Sequence, residues 1–266
     1  MSATEISAAL VKELRDETGA GMMDCKRALQ ETAGDLDAAK RLLRERGMAE
    51  AGKRAGRETT EGIVLARLDG QYGTIVAVGC ETEPVSKNEE FLAFAQQVLK
   101  SVERDGPEAA EELEGQRVEL VGKIGENVAI RGSTRYDQEG DETIAAYVHP
   151  PANKIGVLVK VRGSADAARQ LAMHISFAAP RFLTRDEVPA EEVENERSIY
   201  EKLGDVQSKP EEVRSKIVEG MLSKRFFGQS VLTDQEWIHE SGKTVGKALG
   251  EQDVEVLAFQ RYALGG

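Results

Sequence analysis

Apolar residues recur at helical spacing through the first 50 residues of the chain. Ile6, Leu10 and Leu14 fall every four residues, as they would along one face of an α-helix. Glycine-containing stretches interrupt this pattern twice, at residues 18–21 and at 34–35. We therefore expect a bundle of three short helices.

Local signals also predict where these helices begin and end. Ser2 and Glu5 have the spacing of a capping box, which predicts the start of the first helix. We expect the third helix to end at Gly47. Residues 50–61 are polar, carry both signs of charge, and predict either a linker or an exposed helix.

After this segment the pattern changes to that of β-strands, and a hairpin followed by an amphipathic helix occurs twice. The first hairpin pairs residues 62–68 with 74–79, and the second pairs 143–148 with 155–161. The strings GTIVAVG and GVLVKVRG in the second strands align. We interpret the two units as an internal duplication, and a chance match is the alternative.

The helix of each unit has a continuous apolar face. The first helix follows Asn88, a favourable N-cap, and its apolar face consists of Phe91, Phe94, Ala95, Val98, Leu99 and Val102. The second helix covers residues 165–179 before Pro180, and its apolar face consists of Ala168, Leu171, Ala172, Ile175 and Ala179.

Residues 189–227 show two narrow apolar stripes on either side of a short turn at 204–209. Ser208 and Glu211 have capping-box spacing and predict the start of the second helix. Because charged residues cover the other faces, we expect an antiparallel helical hairpin that projects from the core.

The remaining elements complete a fold of the α+β class. The pattern predicts a helical or mixed stretch at 109–124, a strand at 127–135, a helix near 244–249 and a last strand at 254–259. We expect an N-terminal three-helix bundle, a duplicated hairpin-plus-helix core with antiparallel sheets, and the projecting hairpin.

Composition narrows the classes of function. The 266 residues include 47 acidic and 35 basic side chains, for a net charge of −12, which argues against indiscriminate binding to nucleic acid. No apolar run approaches the roughly 20 residues of a membrane span. The N-terminal sequence lacks the layout of a signal peptide, and two distant cysteines fit a reducing compartment. We expect a cytoplasmic protein that binds neither nucleic acid nor membrane directly.

The sequence offers few residues of the types that commonly carry out catalysis. The sequence has three histidines and two cysteines, and it lacks the common phosphate-binding, zinc-protease and serine-hydrolase motifs. Cys25 lies among apolar helix positions, where we expect it to be buried. We expect His174 to be a structural histidine, and the sequence shows no partner for His239. We therefore expect no metal, no cofactor and no catalytic residue.

Two loops are candidates for binding. Residues 80–88 join a buried strand to an amphipathic helix, and Pro84 should bias Glu83 toward an extended backbone that presents its carboxylate outward. Residues 148–153 form the tip of the second hairpin, where two prolines should hold His149 exposed. A plain turn is an equal alternative for this tip. Since the two units are similar, both loops could belong to one surface.

The sequence resembles bacterial elongation factor Ts over nearly its whole length and in order. The segments that carry the resemblance are TGAGMMDCK (18–26), GD (34–35), CETEPVSKNEEF (80–91), IGENVAIR (124–131), YVHPPANKIGVLV (147–159), LAMHISFAAPRFL (171–183), IVEGMLSKRF (217–226) and SGKTVGKAL (241–249).

The resemblance implies a domain organisation. It comprises a ubiquitin-associated-like N-terminal domain with its linker (1–57), a core N-subdomain (58–141), a core C-subdomain (142–185 and 228–266) and a coiled-coil arm (186–227).

The resemblance also implies a guanine-nucleotide exchange factor, which is not an enzyme, for the GTPase elongation factor Tu. In the family, one loop enters the magnesium side of the partner's nucleotide site, dislodges the ion and promotes GDP release. That loop matches Thr82, Glu83, Pro84 and Val85. Family contacts with the partner's third domain match Ile124, Gly125 and His149, and those of the N-terminal domain match Met22 and Lys26.

This chain departs from the family in that loop, which usually reads Thr-Asp-Phe-Val. Pro84 replaces the aromatic wedge with a smaller, rigid ring, and Glu83 has one methylene more than aspartate. A matching change in the partner, or a larger share of the work by the N-terminal bundle, would accommodate this. The sequence ends soon after Arg261, so we expect no extra C-terminal module.

The sequence also fits other functions and more than one oligomeric state. The N-terminal bundle could be a ubiquitin-like or nascent-chain interaction module, with the rest of the chain as a scaffold. The His149 loop with nearby carboxylates could be a hydrolase site, although no nucleophile–base pair supports this. A 1:1 complex with the GTPase and a homodimer within a 2:2 complex both fit the sequence.

Overall fold

The fold is of the α+β class, as the apolar pattern predicts, and a computed structural model describes residues 6–265. The helices are α1 (Ala8–Thr18), α2 (Met22–Glu31), α3 (Leu36–Arg54), α4 (Glu83–Ser86), α5 (Glu89–Asp105), α6 (Glu114–Ile124), α7 (Ala165–Ala178), α8 (Ala190–Glu201), α9 (Gly204–Gln207), α10 (Glu211–Met221), α11 (Gly228–Ser230) and α12 (Val245–Gly250). The strands are β1 (Glu61–Leu68), β2 (Tyr72–Cys80), β3 (Val128–Asp137), β4 (Glu142–Val148), β5 (Ile155–Arg162) and β6 (Glu255–Ala263).

None of the helices within residues 6–265 is both long and apolar enough to cross a membrane.

Three helices form the N-terminal bundle, which confirms the expected element order. They enclose a small core that includes Leu14, Cys25 and Leu29, all fully buried. Side chains cap two of the helices, since Ser7 accepts a hydrogen bond from Leu10 N and Asp35 accepts one from Ala38 N. The predicted capping box of Ser2 and Glu5 lies outside the described residues.

The predicted end of the third helix is wrong, because α3 runs through Gly47 to Arg54. A Cβ placed on Gly122 of α6 would lie only 3.1 Å from the Cα atom of Gly47. The glycine therefore marks the point where α3 and α6 cross closely, a tertiary contact that overrides its low helix propensity. Of the polar segment 50–61, the first part is helical and residues 55–60 link the bundle to β1.

Two three-stranded antiparallel sheets form the core, with the orders β1-β2-β3 and β4-β5-β6. One face of each sheet packs on its own helix, α5 or α7, and the other faces of the two sheets pack together. All six predicted apolar positions of α5 are buried, and so are the first four of α7. The prediction that Ala179 belongs to this apolar face is wrong, because α7 ends at Ala178 and Ala179 is an exposed C-cap with a φ of 45°.

The two units repeat in detail, which supports the internal duplication. Each third strand carries a bulge at the equivalent place, opposite Ala77/Val78 of β2 and opposite Lys160/Val161 of β5. The facing sheets also share a reciprocal close approach. A Cβ on Gly73 would lie 2.5 Å from Ile144 Cγ2, and a Cβ on the equivalent Gly156 would lie 2.5 Å from Val64 Cγ1. The duplicated strands therefore pack as a pseudo-symmetric sandwich.

Helices α8 and α10 fold back on one another, as the narrow stripes predict, and an Arg197–Glu219 ion pair joins them. The predicted capping box is wrong, because Pro210 is the N-cap of α10 and the Ser208 hydroxyl instead donates to Asp205 O at 2.9 Å. The turn between the helices contains the short helix α9, and Ser208 is the C-cap of that helix.

Candidate functional site

The loop that follows β2 contains a single helical turn, α4, which begins at Glu83. The prediction that Pro84 holds Glu83 in an extended conformation is therefore wrong. The extended residue is Thr82, with φ −129° and ψ 153°, and Pro84 occupies the first turn. Proline is tolerated there because the N–H groups of a first turn have no partner within the helix.

The helical turn presents its polar tip outward and its base inward. Glu83 and Pro84 are exposed, and Val85 packs against the apolar core of the first unit. The Glu83 carboxylate accepts a hydrogen bond from Lys87 Nζ at 2.7 Å, and this bond lowers the pKa of Glu83. The site thus offers an ionised carboxylate beside a rigid pyrrolidine ring.

The turn after α6 lies directly against this loop. Ile124 is the last residue of α6, and Gly125 ends the helix with a φ of +81°, a conformation that favours glycine. The next residue, Glu126, accepts hydrogen bonds from Thr82 N at 3.1 Å and from Thr82 Oγ1 at 2.7 Å. Two of the predicted partner-binding segments, 82–85 and 124–125, are therefore neighbours.

The tip of the second hairpin lies beside the base of the same loop. Asn153 O accepts a hydrogen bond from Val64 N at 2.7 Å, and Lys154 Nζ donates to Glu61 Oε1 at 2.6 Å. Glu61 is paired with Cys80 in the first sheet. The hairpin tip therefore contacts β1, the strand paired with the one that leads into the loop, and a shared binding surface stays a prediction.

His149 is exposed at this tip, as expected, and its Nδ1 lies 3.1 Å from the hydroxyl of Tyr147. Met22 and Lys26 are exposed on α2 of the bundle, and Met22 retains 55% of its accessible surface. Among the hydrogen bonds of residues 6–265, none connects these two side chains to the loops. These two side chains therefore lie outside the hydrogen-bonded cluster of loops.

The remaining histidines and the cysteines have structural surroundings. His174 is fully buried, where its Nε2 lies 3.0 Å from Gln235 Oε1, and burial lowers its pKa. His239 does have a partner, contrary to the sequence interpretation, since its Nε2 lies 3.1 Å from Gln170 O. Burial raises the pKa of Cys80 to about 12 and also raises that of Cys25. Neither thiol is poised to act as a nucleophile.

Sequence reasoning missed the residues that hold the two neighbouring loops together. Glu126 and Thr82 are 44 positions apart, and Asn127 and Glu81 are 46 positions apart. No spacing rule connects residues at such separations. The only available signal was that both segments combine polar side chains with the ends of regular elements.

Comparisons with known proteins find one family. A family model described as "Elongation factor TS" matches residues 81–266. The chain is 41% identical to the protein named Elongation factor Ts of Alkalilimnicola ehrlichii, over 98% of this chain and 92% of that protein. It is 42% identical to the protein of the same name from Shewanella amazonensis, over 98% and 91%, and 41% identical to that of Escherichia coli K12, over 98% and 92%.

Proposed function

The chain belongs to the elongation factor Ts family of translation elongation factors, and we propose that it is a guanine-nucleotide exchange factor for elongation factor Tu. It binds the GDP-bound GTPase in the cytoplasm, displaces Mg²⁺, promotes GDP release and stabilises the nucleotide-free form until GTP binds. This role needs no covalent step and no cofactor in the exchange factor, which is therefore not an enzyme.

The observation that carries the proposal is the exposed helical turn at Thr82–Val85, next to the Ile124–Gly125 turn. In our proposal the turn enters the magnesium side of the partner's nucleotide site, where the ion is the main counter-charge to the phosphates. The ionised Glu83 carboxylate competes with the phosphates for that ion. Once the ion leaves, the same carboxylate repels the phosphates.

Pro84 requires a modified version of this insertion. Its exposed ring fills less volume than an aromatic side chain, although α4 holds it rigidly. We propose that the partner's gap is correspondingly smaller, or that the N-terminal bundle contributes a larger share of the binding.

The other predicted residues serve as anchors in this proposal. Ile124, Gly125 and His149 contact the partner's third domain, and Met22 and Lys26 contact its nucleotide-binding domain. The division into a ubiquitin-associated-like domain (1–57), core subdomains (58–141 with 142–185 and 228–266) and a coiled-coil arm (186–227) follows from the same family proposal. The unit of binding is a 1:1 complex, and pairing through the arms would give a 2:2 complex.

Thermodynamic linkage supplies the test. An exchange factor must bind the empty GTPase more tightly than the nucleotide-bound form, and GDP must weaken its binding by the same factor. Titration calorimetry with nucleotide-free and GDP-bound elongation factor Tu measures both affinities. We expect the affinity for the empty form to be at least about tenfold higher, a difference of about 1.4 kcal/mol. Equal affinities would contradict the proposed function.

A further inference from the structure

Two carboxylates link the loop after β2 to the turn after α6, and each accepts hydrogen bonds from the other segment. Glu126 accepts from Thr82 N and Thr82 Oγ1, at 3.1 and 2.7 Å. In the opposite direction, Glu81 Oε1 accepts from Asn127 N at 2.6 Å. Each loop therefore supplies a carboxylate to a backbone N–H group of the other. We call residues 81, 82, 126 and 127 the loop clamp.

The linker after the N-terminal bundle is tied to the same place. The Arg57 guanidinium lies 3.4 Å from both carboxylate oxygens of Glu81. The Arg57 carbonyl accepts a hydrogen bond from Asn127 Nδ2 at 2.8 Å. Asn127 retains only 3% of its accessible surface, so its hydrogen bonds are made away from solvent.

The helical turn depends on this clamp for its orientation. Thr82 precedes α4, but its own side chain makes no capping hydrogen bond to the helix and instead donates to Glu126. The tip residues are exposed, and Val85 is the part of the turn that packs on the apolar core. Besides this apolar packing, the two directional bonds from Thr82 to one carboxylate fix the direction in which the chain enters the turn.

We propose that Glu126 is a positioning residue for nucleotide release, and that it couples the Thr82–Val85 turn to the Ile124–Gly125 anchor. This inference rests on the proposed exchange function. When the anchor is seated on the partner GTPase, the carboxylate of the adjoining residue holds the turn at the angle at which Glu83 and Pro84 enter the nucleotide site. Glu126 itself does not act on the nucleotide or on the ion.

The test measures release of a fluorescent GDP analogue from elongation factor Tu as the full-length protein is titrated. The titration yields a saturating rate and a half-saturating concentration. Glu126→Gln removes the charge and one acceptor while keeping the size of the side chain. We expect its saturating rate to fall about tenfold, the factor that about 1.4 kcal/mol gives, with a half-saturating concentration changed by less than about twofold.

Two variants of Thr82 probe the same bond from the other side. Thr82→Val removes the hydroxyl and should lower the saturating rate about threefold, and Thr82→Ser, which keeps the hydroxyl, should retain a higher rate than Thr82→Val. Because both changes break one interaction, the double variant Glu126→Gln/Thr82→Val should be no slower than Glu126→Gln alone. The matched control is Glu112→Gln, the same change at an exposed glutamate on the 3₁₀ helix Pro107–Leu113, and it should leave both parameters unchanged.

The outcomes separate the inference from the function on which it rests. If the wild-type protein does not accelerate GDP release, the proposed function fails. If the wild-type protein is active and Glu126→Gln keeps its saturating rate, or changes only the half-saturating concentration, the positioning role is wrong. Multiplicative effects in the double variant would also overturn it, since Glu126 would then act independently of Thr82. A thermal melt of Glu126→Gln that matches the wild type excludes general unfolding as the cause of a slower rate.

Discussion

The duplicated strands differ at one core position, where β2 has a polar residue and β5 has an apolar one, and this difference can be tested on its own. Thr74 in β2 is fully buried, and its hydroxyl has no hydrogen-bond partner among the described residues. Strand alternation places it with Val76 and Val78 on the face toward α5. The equivalent position in the second unit is Val157, which packs in the apolar cluster of α7.

The free-energy cost of burying the Thr74 hydroxyl follows from its desolvation. A hydroxyl buried without a partner costs about 1–3 kcal/mol, and valine has nearly the same shape as threonine. We therefore expect Thr74→Val to raise the free energy of unfolding by about 1–2 kcal/mol. For a chain of this size that corresponds to an increase in Tm of about 2–8 °C.

Urea denaturation and thermal melting, both followed by circular dichroism, measure the change. The pseudo-symmetric site supplies the matched control, because Val157→Thr places a hydroxyl in the equivalent environment and should destabilise by about 1–3 kcal/mol. Thr74→Ser keeps the hydroxyl, removes a methyl group, and should cost about 1 kcal/mol. If Thr74→Val is neutral or destabilising while Val157→Thr is tolerated, the argument from unsatisfied burial is refuted.

Three further predictions concern pH and the binding surface. Burial lowers the pKa of His174, so near pH 6.5 the unfolded chain binds a proton that the folded chain does not bind. The free energy of unfolding, measured by urea titration, should therefore fall as the pH drops from 7 to 5.5. His174→Asn should flatten this decline, and an unchanged slope in the variant would contradict the prediction. Glu83→Ala combined with Pro84→Ala should lower the saturating rate of GDP release about tenfold and weaken complex formation less, as rate and calorimetric measurements will show; equal effects would mean that the loop is only an anchor. Met22→Ala combined with Lys26→Ala should weaken binding about tenfold with little change in the saturating rate, and unchanged affinity would remove the bundle from the binding surface.

Local periodicity was sufficient to predict most elements of the fold. The six apolar positions of α5 are all buried because their spacing alone specifies one helix face. The hairpins followed from alternation, and the duplication followed from two similar strings whose bulges and glycines coincide in the folded chain.

Three of the errors and omissions share a physical cause, which is a partner far away in the sequence. Gly47 resembles a helix end until α6 brings Gly122 against it. His239 lacks a visible partner until α7 places Gln170 O beside it. Glu126 attracted no attention because its bonds to Thr82 form only once folding brings the turn after α6 against the loop after β2. Such contacts depend on tertiary packing, which overrides local propensity.

The candidate site was predicted unevenly for the same reason. The exposure of His149 follows from the two prolines at the hairpin tip. The conformation of that loop does not, because Pro84 is compatible both with an extended approach and with the first turn of a helix. In the helical conformation that the structure shows, Thr82 N donates a hydrogen bond to the Glu126 carboxylate.

The most direct measurement of the central claim is the rate at which a fluorescent GDP analogue leaves elongation factor Tu in excess unlabelled GDP, with and without this protein. At micromolar concentrations of the protein, we predict a release rate that rises with its concentration to a plateau at least about tenfold above the spontaneous rate. The acceleration should shrink when Mg²⁺ is removed by a chelator, since the ion is then already displaced. A release rate independent of the protein would contradict the account.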